Sequence, residues 1–306
     1  MGRVGVDLYP QQIGVSLSQV RTFAKSLGGS PTNVAVGTAR YGHRAAVITK
    51  VGDDGFGSYV RDALGDFGVD DRYVGTDPSL RTPIVFCEIF PPDSFPILFY
   101  REPKAPDMNL QPDELDFDAI RAARIFWTTG TGLSDEPSRA ATIAALEARD
   151  RSAITVHDLD YREVFWRSPA DATKQQLRAL DHATVAVGNR AEAAVAVGDG
   201  TPEDLAGRLL DLGLDLAIVK LGPGGVLVAW DDGMERVPPV PVDVVCGLGA
   251  GDAFGAALCH GLLAGWEIPE TIHFANGAGA YVAAQLACAD AMPDEVQVRA
   301  LLAGDE

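Results

Sequence analysis

The chain has 306 residues, 47% of them hydrophobic, and carries 25 Lys and Arg against 43 Asp and Glu, a net charge of −18. That size and apolar content can bury a large core, as one big α/β domain or two small ones. The charge excludes nucleic acid and anionic membrane surfaces as partners, and any anionic substrate must be met by local cations. The longest apolar stretches are strand-sized or broken by Gly and charge, so no membrane span is expected, and residues 1–16 do not read as a signal peptide. Cys87, Cys246, Cys259 and Cys288 lie far apart without metal-ligand spacing and read as reduced thiols in a cytoplasmic protein.

Arg3-Val4-Gly5-Val6-Asp7 reads as a short strand ending in a carboxylate, and Ile13-Gly14-Val15-Ser16-Leu17 alternates like a second, exposed strand. Gly28-Gly29-Ser30-Pro31-Thr32-Asn33 precedes a helical pattern, with Ser30 and Pro31 as the expected N-cap and first helical residue. The diglycine lets a ligand approach the backbone, and Asn33 offers both a donor and an acceptor. A strand over 45–51, a helix over 58–67 and a strand from Tyr73-Val74 continue the strand–helix alternation of a parallel sheet.

Residues 82–101 break that rhythm. Two β-rich runs flank Pro91-Pro92-Asp93-Ser94-Phe95-Pro96, which predicts an antiparallel hairpin whose aromatic face covers a ligand or a partner subunit. Arg101 and Lys104 follow it as a pair of cations, either solvated or binding.

The alternation resumes with strands over 124–128 and 153–157 around a helix over 136–149. Asp158-Leu159-Asp160-Tyr161-Arg162 then stands at a strand's C-terminal end, where open α/β sheets place ligands. After a strand over 183–187, Asn189 and Glu192 share one face of a helix start. They can hold Mg²⁺ through water, and the same spacing is that of a capping box. A strand over 216–220 ends in Leu221-Gly222-Pro223-Gly224-Gly225, and 226–230 is its return strand.

Val244-Val245-Cys246-Gly247-Leu248-Gly249-Ala250-Gly251-Asp252-Ala253-Phe254 joins a strand to a helix through three glycines. Such a turn aims unpaired amides and a helix dipole at an anion. An aspartate at an anion hole makes sense as a base that deprotonates a hydroxyl attacking phosphorus; as a bland alternative it only starts the helix. A Walker loop would need Lys-Ser or Lys-Thr here, and the dinucleotide fingerprint would need glycine where Phe254 stands. Residues 254–264, 270–287 and 294–302 read as helices.

The order strand-end Asp, diglycine with Asn, β hairpin, N-x-x-E, L-G-x-x-G and G-A-G-D resembles the ribokinase family of carbohydrate kinases, also called the PfkB family, over essentially the whole chain. The resemblance implies a single doubly wound α/β domain over 1–306, with a mainly parallel sheet. It also implies a small antiparallel β lid, formed here by about 8–18 and 82–101, which often serves as a homodimer surface. The implied reaction is ATP- and Mg²⁺-dependent phosphorylation of a sugar hydroxyl. By this likeness Asp252 is the base, and the amides of Gly249, Ala250 and Gly251 form the anion hole. Asn189 and Glu192 organise Mg²⁺ and phosphates, with no direct protein ligand to the metal assigned. Lys220 and Gly222 to Gly225 lie along the nucleotide, and Asp7, Gly28, Gly29 and Asn33 hold sugar hydroxyls.

Within the family, Gly2 to Pro10, Phe86 to Pro92, Phe99-Tyr100-Arg101 and Gly247 to Asp252 resemble members that phosphorylate the terminal hydroxyl of keto sugar acids. Arg101, Lys104 and Arg162 are the cations that a carboxylate substrate needs. The alternatives in the same family are 2-dehydro-3-deoxygluconate kinases, which share the features seen here as Tyr100-Arg101 and Asp158…Arg162…Trp166, and neutral-sugar and nucleoside kinases, the last expected to prefer stacking aromatics. A sensor without turnover would not need Asp252 beside an intact Gly249-Ala250-Gly251, and a nicotinamide oxidoreductase would need the missing fingerprint. Many relatives carry Asp-Thr, whose Asp helps bind a monovalent cation, where this chain has Cys246-Gly247, which puts potassium activation in doubt. The first strand lacks the apolar residues relatives usually carry before its glycine, so the chain is expected to start late.

Overall fold

The computed structural model describes residues 1–304. Met1–Gly2 and Met108–Pro239 form one compact unit, and Arg3–Asp107 with the chain from Val240 onward form the second. Among the described residues no helix is long and apolar enough to cross a membrane.

In the first unit the apolar runs become four parallel strands, Ile125–Thr129, Ile154–Asp158, Val185–Asn189 and Leu216–Lys220. Val226–Trp230 returns antiparallel, and Gly233–Val237 completes a six-stranded sheet in the order 233–237, 226–230, 216–220, 185–189, 154–158, 125–129. Residues facing opposite sides of these strands are both buried, as in a sheet covered on its two faces. Leu205 and Leu209 of the Pro202–Asp211 helix and Ala193 and Ala196 of Arg190–Val197 pack with Ala217, Val219 and Leu227. Each fully buried leucine contributes on the order of 2 kcal/mol.

Arg149, the last residue of the Ser138–Arg149 helix, is fully buried. Its guanidinium donates to the carbonyls of Ile120, Arg121 and Ala123 at the end of the Phe117–Ala122 helix. It also donates to Ile154 O and Thr155 Oγ1.

The second unit holds a four-stranded sheet in the order Phe23–Gly28, Gly5–Pro10, Ile84–Cys87, Ile97–Tyr100. The hairpin expected over 82–101 is present, with Ile84 opposite Tyr100 and Cys87 opposite Ile97. Two expectations are corrected here. Residues 13–17 are not a strand: Gly14 takes φ +77, the chain turns at Ser16–Gln19, and Gln12 binds Arg21 and Thr22 across the loop. The partner of the first strand is Phe23–Gly28 instead. That pairing extends the first strand to Pro10, so Asp7 lies inside it rather than at its end. The strand expected over 45–51 is split into Ala45–Ala46, parallel to Val69–Asp70, and Thr49–Gly52, parallel to Val74–Asp77.

Ser30 is not an N-cap. Helix Ser30–Arg40 is capped by Gly29 at φ +104, because a β-carbon there would lie 2.4 Å from Arg3 O. Helix Ala250–Ala264 packs against Ser30–Arg40 where a β-carbon on Gly37 would come within 2.5 Å of Ala256 Cβ, so the two backbones approach closely. Helices Gly55–Asp66, Ile268–Ala283 and Glu295–Ala303 complete this unit.

Candidate active site

The G-A-G-D stretch is the start of a helix four residues earlier than its apolar pattern suggests. Gly249, at φ +83, is the N-cap, and Ala253 N–H makes the first intrahelical bond, to Gly249 O. The amides of Ala250, Gly251 and Asp252 thus precede any carbonyl the helix can offer them, and the dipole adds positive character. Asp252 stands on this first turn. Asn33, on the first turn of Ser30–Arg40, donates from Nδ2 to Asp252 Oδ2 at 2.7 Å. Its Oδ1 is buried and finds no partner in the protein, leaving an acceptor for an incoming hydroxyl.

Asp7 joins the same place. A β-carbon on Gly28 would fall 2.2 Å from the Asp7 carboxyl, so glycine there leaves room for that carboxyl where it stands. Asp7 keeps some solvent access but is densely surrounded by protein, and desolvation pushes its carboxyl up to about 7; Arg3 opposes the rise and Asp252 adds to it. The structure therefore brings Asp7, Gly28, Gly29, Asn33 and Asp252 together.

The proposed cations are already engaged. Arg101 pairs with Asp107, which also accepts from Val4 N–H at 2.9 Å; the two side chains are 8% and 0% exposed. Arg162 pairs with Asp160 at 3.2 Å in the other unit, where Asp160 also accepts from Thr131. Lys104 is partly buried just after the hairpin.

In the first unit Asn189, Lys220, Gly222 and Gly224 line a cavity of about 420 Å³ together with Arg190, Ala191, Pro202, Leu221 and Arg236. Gly222 takes φ +56 with open space around its α-carbon, so backbone can meet a ligand there. Gly225 is instead fixed by packing, since a β-carbon would lie 2.2 Å from Val237 O. Asn189 and Glu192 form the capping box of Arg190–Val197: Asn189 Oδ1 accepts from Glu192 N–H at 2.9 Å, and Glu192 accepts from Asn189 N–H at 2.7 Å.

Residues 1–295 match the pattern of the pfkB family carbohydrate kinases. The chain belongs to that family. A 5-dehydro-2-deoxygluconokinase of Clostridium tetani is 33% identical over 307 residues, covering 98% of this chain and 90% of the relative. The fructokinase of Vibrio cholerae O395, solved with fructose, ADP and a calcium ion, is 28% identical. It superposes with a TM-score of 0.86 over 98% of this chain and 97% of that one. A protein from E. coli described as a Ribokinase II, in complex with ATP and Mg²⁺, gives a TM-score of 0.90 at 21% identity over 99% and 97% of the two chains. The fold is thus the ribokinase-like α/β fold, and this pfkB-family chain is a sugar kinase.

Two features near Asp7 and Asp252 left no mark in the sequence. Arg3 is 7% exposed, with its guanidinium 5.9 Å from the centre of the Phe99 ring, close enough to Asp7 to oppose its desolvation. Tyr9, Cys87, Cys246 and Cys288, scattered along the chain, are gathered in one buried cluster.

Arg101→Ala strands the Asp107 carboxylate in the interior, which costs about 3–5 kcal/mol and lowers the Tm on the order of 10 °C. Arg101→Ala/Asp107→Asn keeps an acceptor for Val4 N–H and should recover much of that loss in thermal melts. A double variant no more stable than the single one would show that the ion pair is not what holds this corner.

The raised Asp7 carboxyl binds its proton more tightly in the folded chain than in the unfolded one, whose reference is 3.8. Its stabilising contribution is complete below that value and is lost as pH rises towards about 7. The Tm of the wild type minus that of Asp7→Asn should therefore fall between those two pH values and level off above them. A difference independent of pH would remove Asp7 as the titrating group.

Proposed function

We propose that this pfkB-family kinase transfers the terminal phosphoryl group of ATP to the terminal hydroxyl of 5-dehydro-2-deoxy-D-gluconate, giving the 6-phosphate during myo-inositol breakdown in the cytoplasm. The observation that carries the reaction type is Asp252 on a glycine-capped helix start, held through one carboxylate oxygen by Asn33 at 2.7 Å. Asp252 accepts the hydroxyl proton through its other oxygen, while the amides of Gly249, Ala250 and Gly251 receive the charge of the transferring group. Asn33 Oδ1, Asp7 and the diglycine backbone orient the sugar hydroxyls.

The cavity at Lys220, Gly222 and Asn189 suits a nucleotide, with Lys220, Arg190 and Arg236 as cations in an acidic chain. Among the described residues no cluster of three or more His, Cys, Asp or Glu side chains could hold a metal ion. Magnesium would be held by phosphates and water, with Asn189 and Glu192 in its outer shell. Bound with ATP, it neutralises charge on the phosphates. Cys246 is fully buried beside Cys87 and Cys288, and burial pushes its thiol up, a soft neutral setting that fits potassium poorly.

The substrate class rests on full-length similarity to the Clostridium kinase and on Arg101, Lys104 and Arg162 as candidate partners for the carboxylate. Exposed Leu98 and Tyr100 on the outermost strand of the four-stranded sheet, which we take as the lid, support a homodimer through that sheet. A neutral-sugar kinase is the second reading, favoured by the prior engagement of Arg101 and Arg162 with aspartates.

The deciding experiment compares kcat/KM for 5-dehydro-2-deoxygluconate, 2-dehydro-3-deoxygluconate and fructose with MgATP. The first should be preferred over fructose by at least about tenfold, the effect of one lost carboxylate contact; preference for fructose would establish the second reading. In the same assay Asp252→Asn should cut kcat by about 10²–10⁴-fold with ATP binding intact. Turnover near the wild-type rate would reduce Asp252 to a helix-start residue.

A further inference from the structure

Cys288 opens the short helical turn Ala289–Ala291, and its sulfur lies 2.5 Å from the Tyr9 hydroxyl, with both residues 3% exposed. A β-carbon on Gly249 would come within 2.7 Å of the same sulfur and 3.1 Å of Cys288 Cα, so Cys288 packs directly beneath the N-cap. Tyr9 stands two residues beyond Asp7 on one strand and therefore points to the same face. The amides of Val245 and Cys246, which lead into the turn, both donate to Ala283 O, tying the loop to the end of the helix that precedes Cys288.

We infer that Tyr9 and Cys288 form a positioning pair that fixes Gly249, and through it the amides of Ala250 and Gly251, against the strand carrying Asp7. The role rests on the kinase reading above. Neither residue touches the reacting atoms; both act through the N-cap. The pair satisfies its own polar atoms inside an apolar cluster, which favours one geometry over several. It also stays neutral: burial, then the Asp7 carboxylate, then that of Asp252 push the thiol well above its ordinary value. Burial likewise raises the Tyr9 phenol. A thiolate here would repel the phosphoryl group that the amides attract.

The test measures kcat, KM for ATP and Tm in Tyr9→Phe, Cys288→Ala and Cys288→Ser. Tyr9→Phe and Cys288→Ala should lower kcat by about 10- to 100-fold, as small displacements of an anion hole do, and leave KM for ATP within about twofold. Cys288→Ser keeps a group that can bond Tyr9 and should hold kcat within about threefold of wild type, even if its Tm falls as far as that of Cys288→Ala. Two outcomes overturn the role: folded Tyr9→Phe and Cys288→Ala with kcat within about twofold of wild type, or a serine variant as slow as the alanine one. A wild type that phosphorylates neither sugar acids nor neutral sugars would overturn the kinase reading, and this role with it.

Discussion

Gly249 combines a φ of +83 with the Cys288 sulfur packed against it, and the chemistry proposed for this protein depends on that combination. An L side chain there would be strained by the backbone and blocked by the sulfur. With glycine, the helix begins abruptly, and three amides and a carboxylate share its first turn. Asp252 is then within reach of Asn33 because a second helix also starts at a glycine forced to positive φ, Gly29 against Arg3 O. The two helices approach closely through Gly37 and Ala256.

The electrostatics follow from a similar economy. A chain of net charge −18 must bind substrates that are themselves anionic, yet its second unit buries Asp107 and crowds Asp7 with protein. Arg3 and Arg101 offset them locally. Arg149 shows another solution, a guanidinium spent on carbonyls at the end of a helix, where the dipole supplies the negative character.

Fold and site were unequally legible in the sequence. The apolar runs at 125–129, 154–158, 185–189 and 216–220 announce buried parallel strands because they are hydrophobic on both faces. Hairpins flanked by turn residues were equally plain. The strand at Phe23–Gly28 is hard to read because Lys25 and Ser26 interrupt its pattern on an edge, while Ile13–Leu17 alternates without pairing as a strand. At the site, glycines and the aspartate that follows them could be read locally, since their signal is a conformation. The pairing of Arg101 with Asp107 and the gathering of Tyr9 with the cysteines could not, since those contacts are set by tertiary packing.

The second unit is built from two stretches of chain separated by the whole of residues 108–239. Its hydrogen bond between Tyr9 and Cys288 closes a loop of 279 residues. During synthesis the first stretch emerges with half of its partners still unmade, whereas the inserted unit is translated almost entirely in one piece. Closure of so long a loop is slow and exposes apolar surface while it waits. The unit that carries Asp252 is therefore completed only after residues 108–239 have been made.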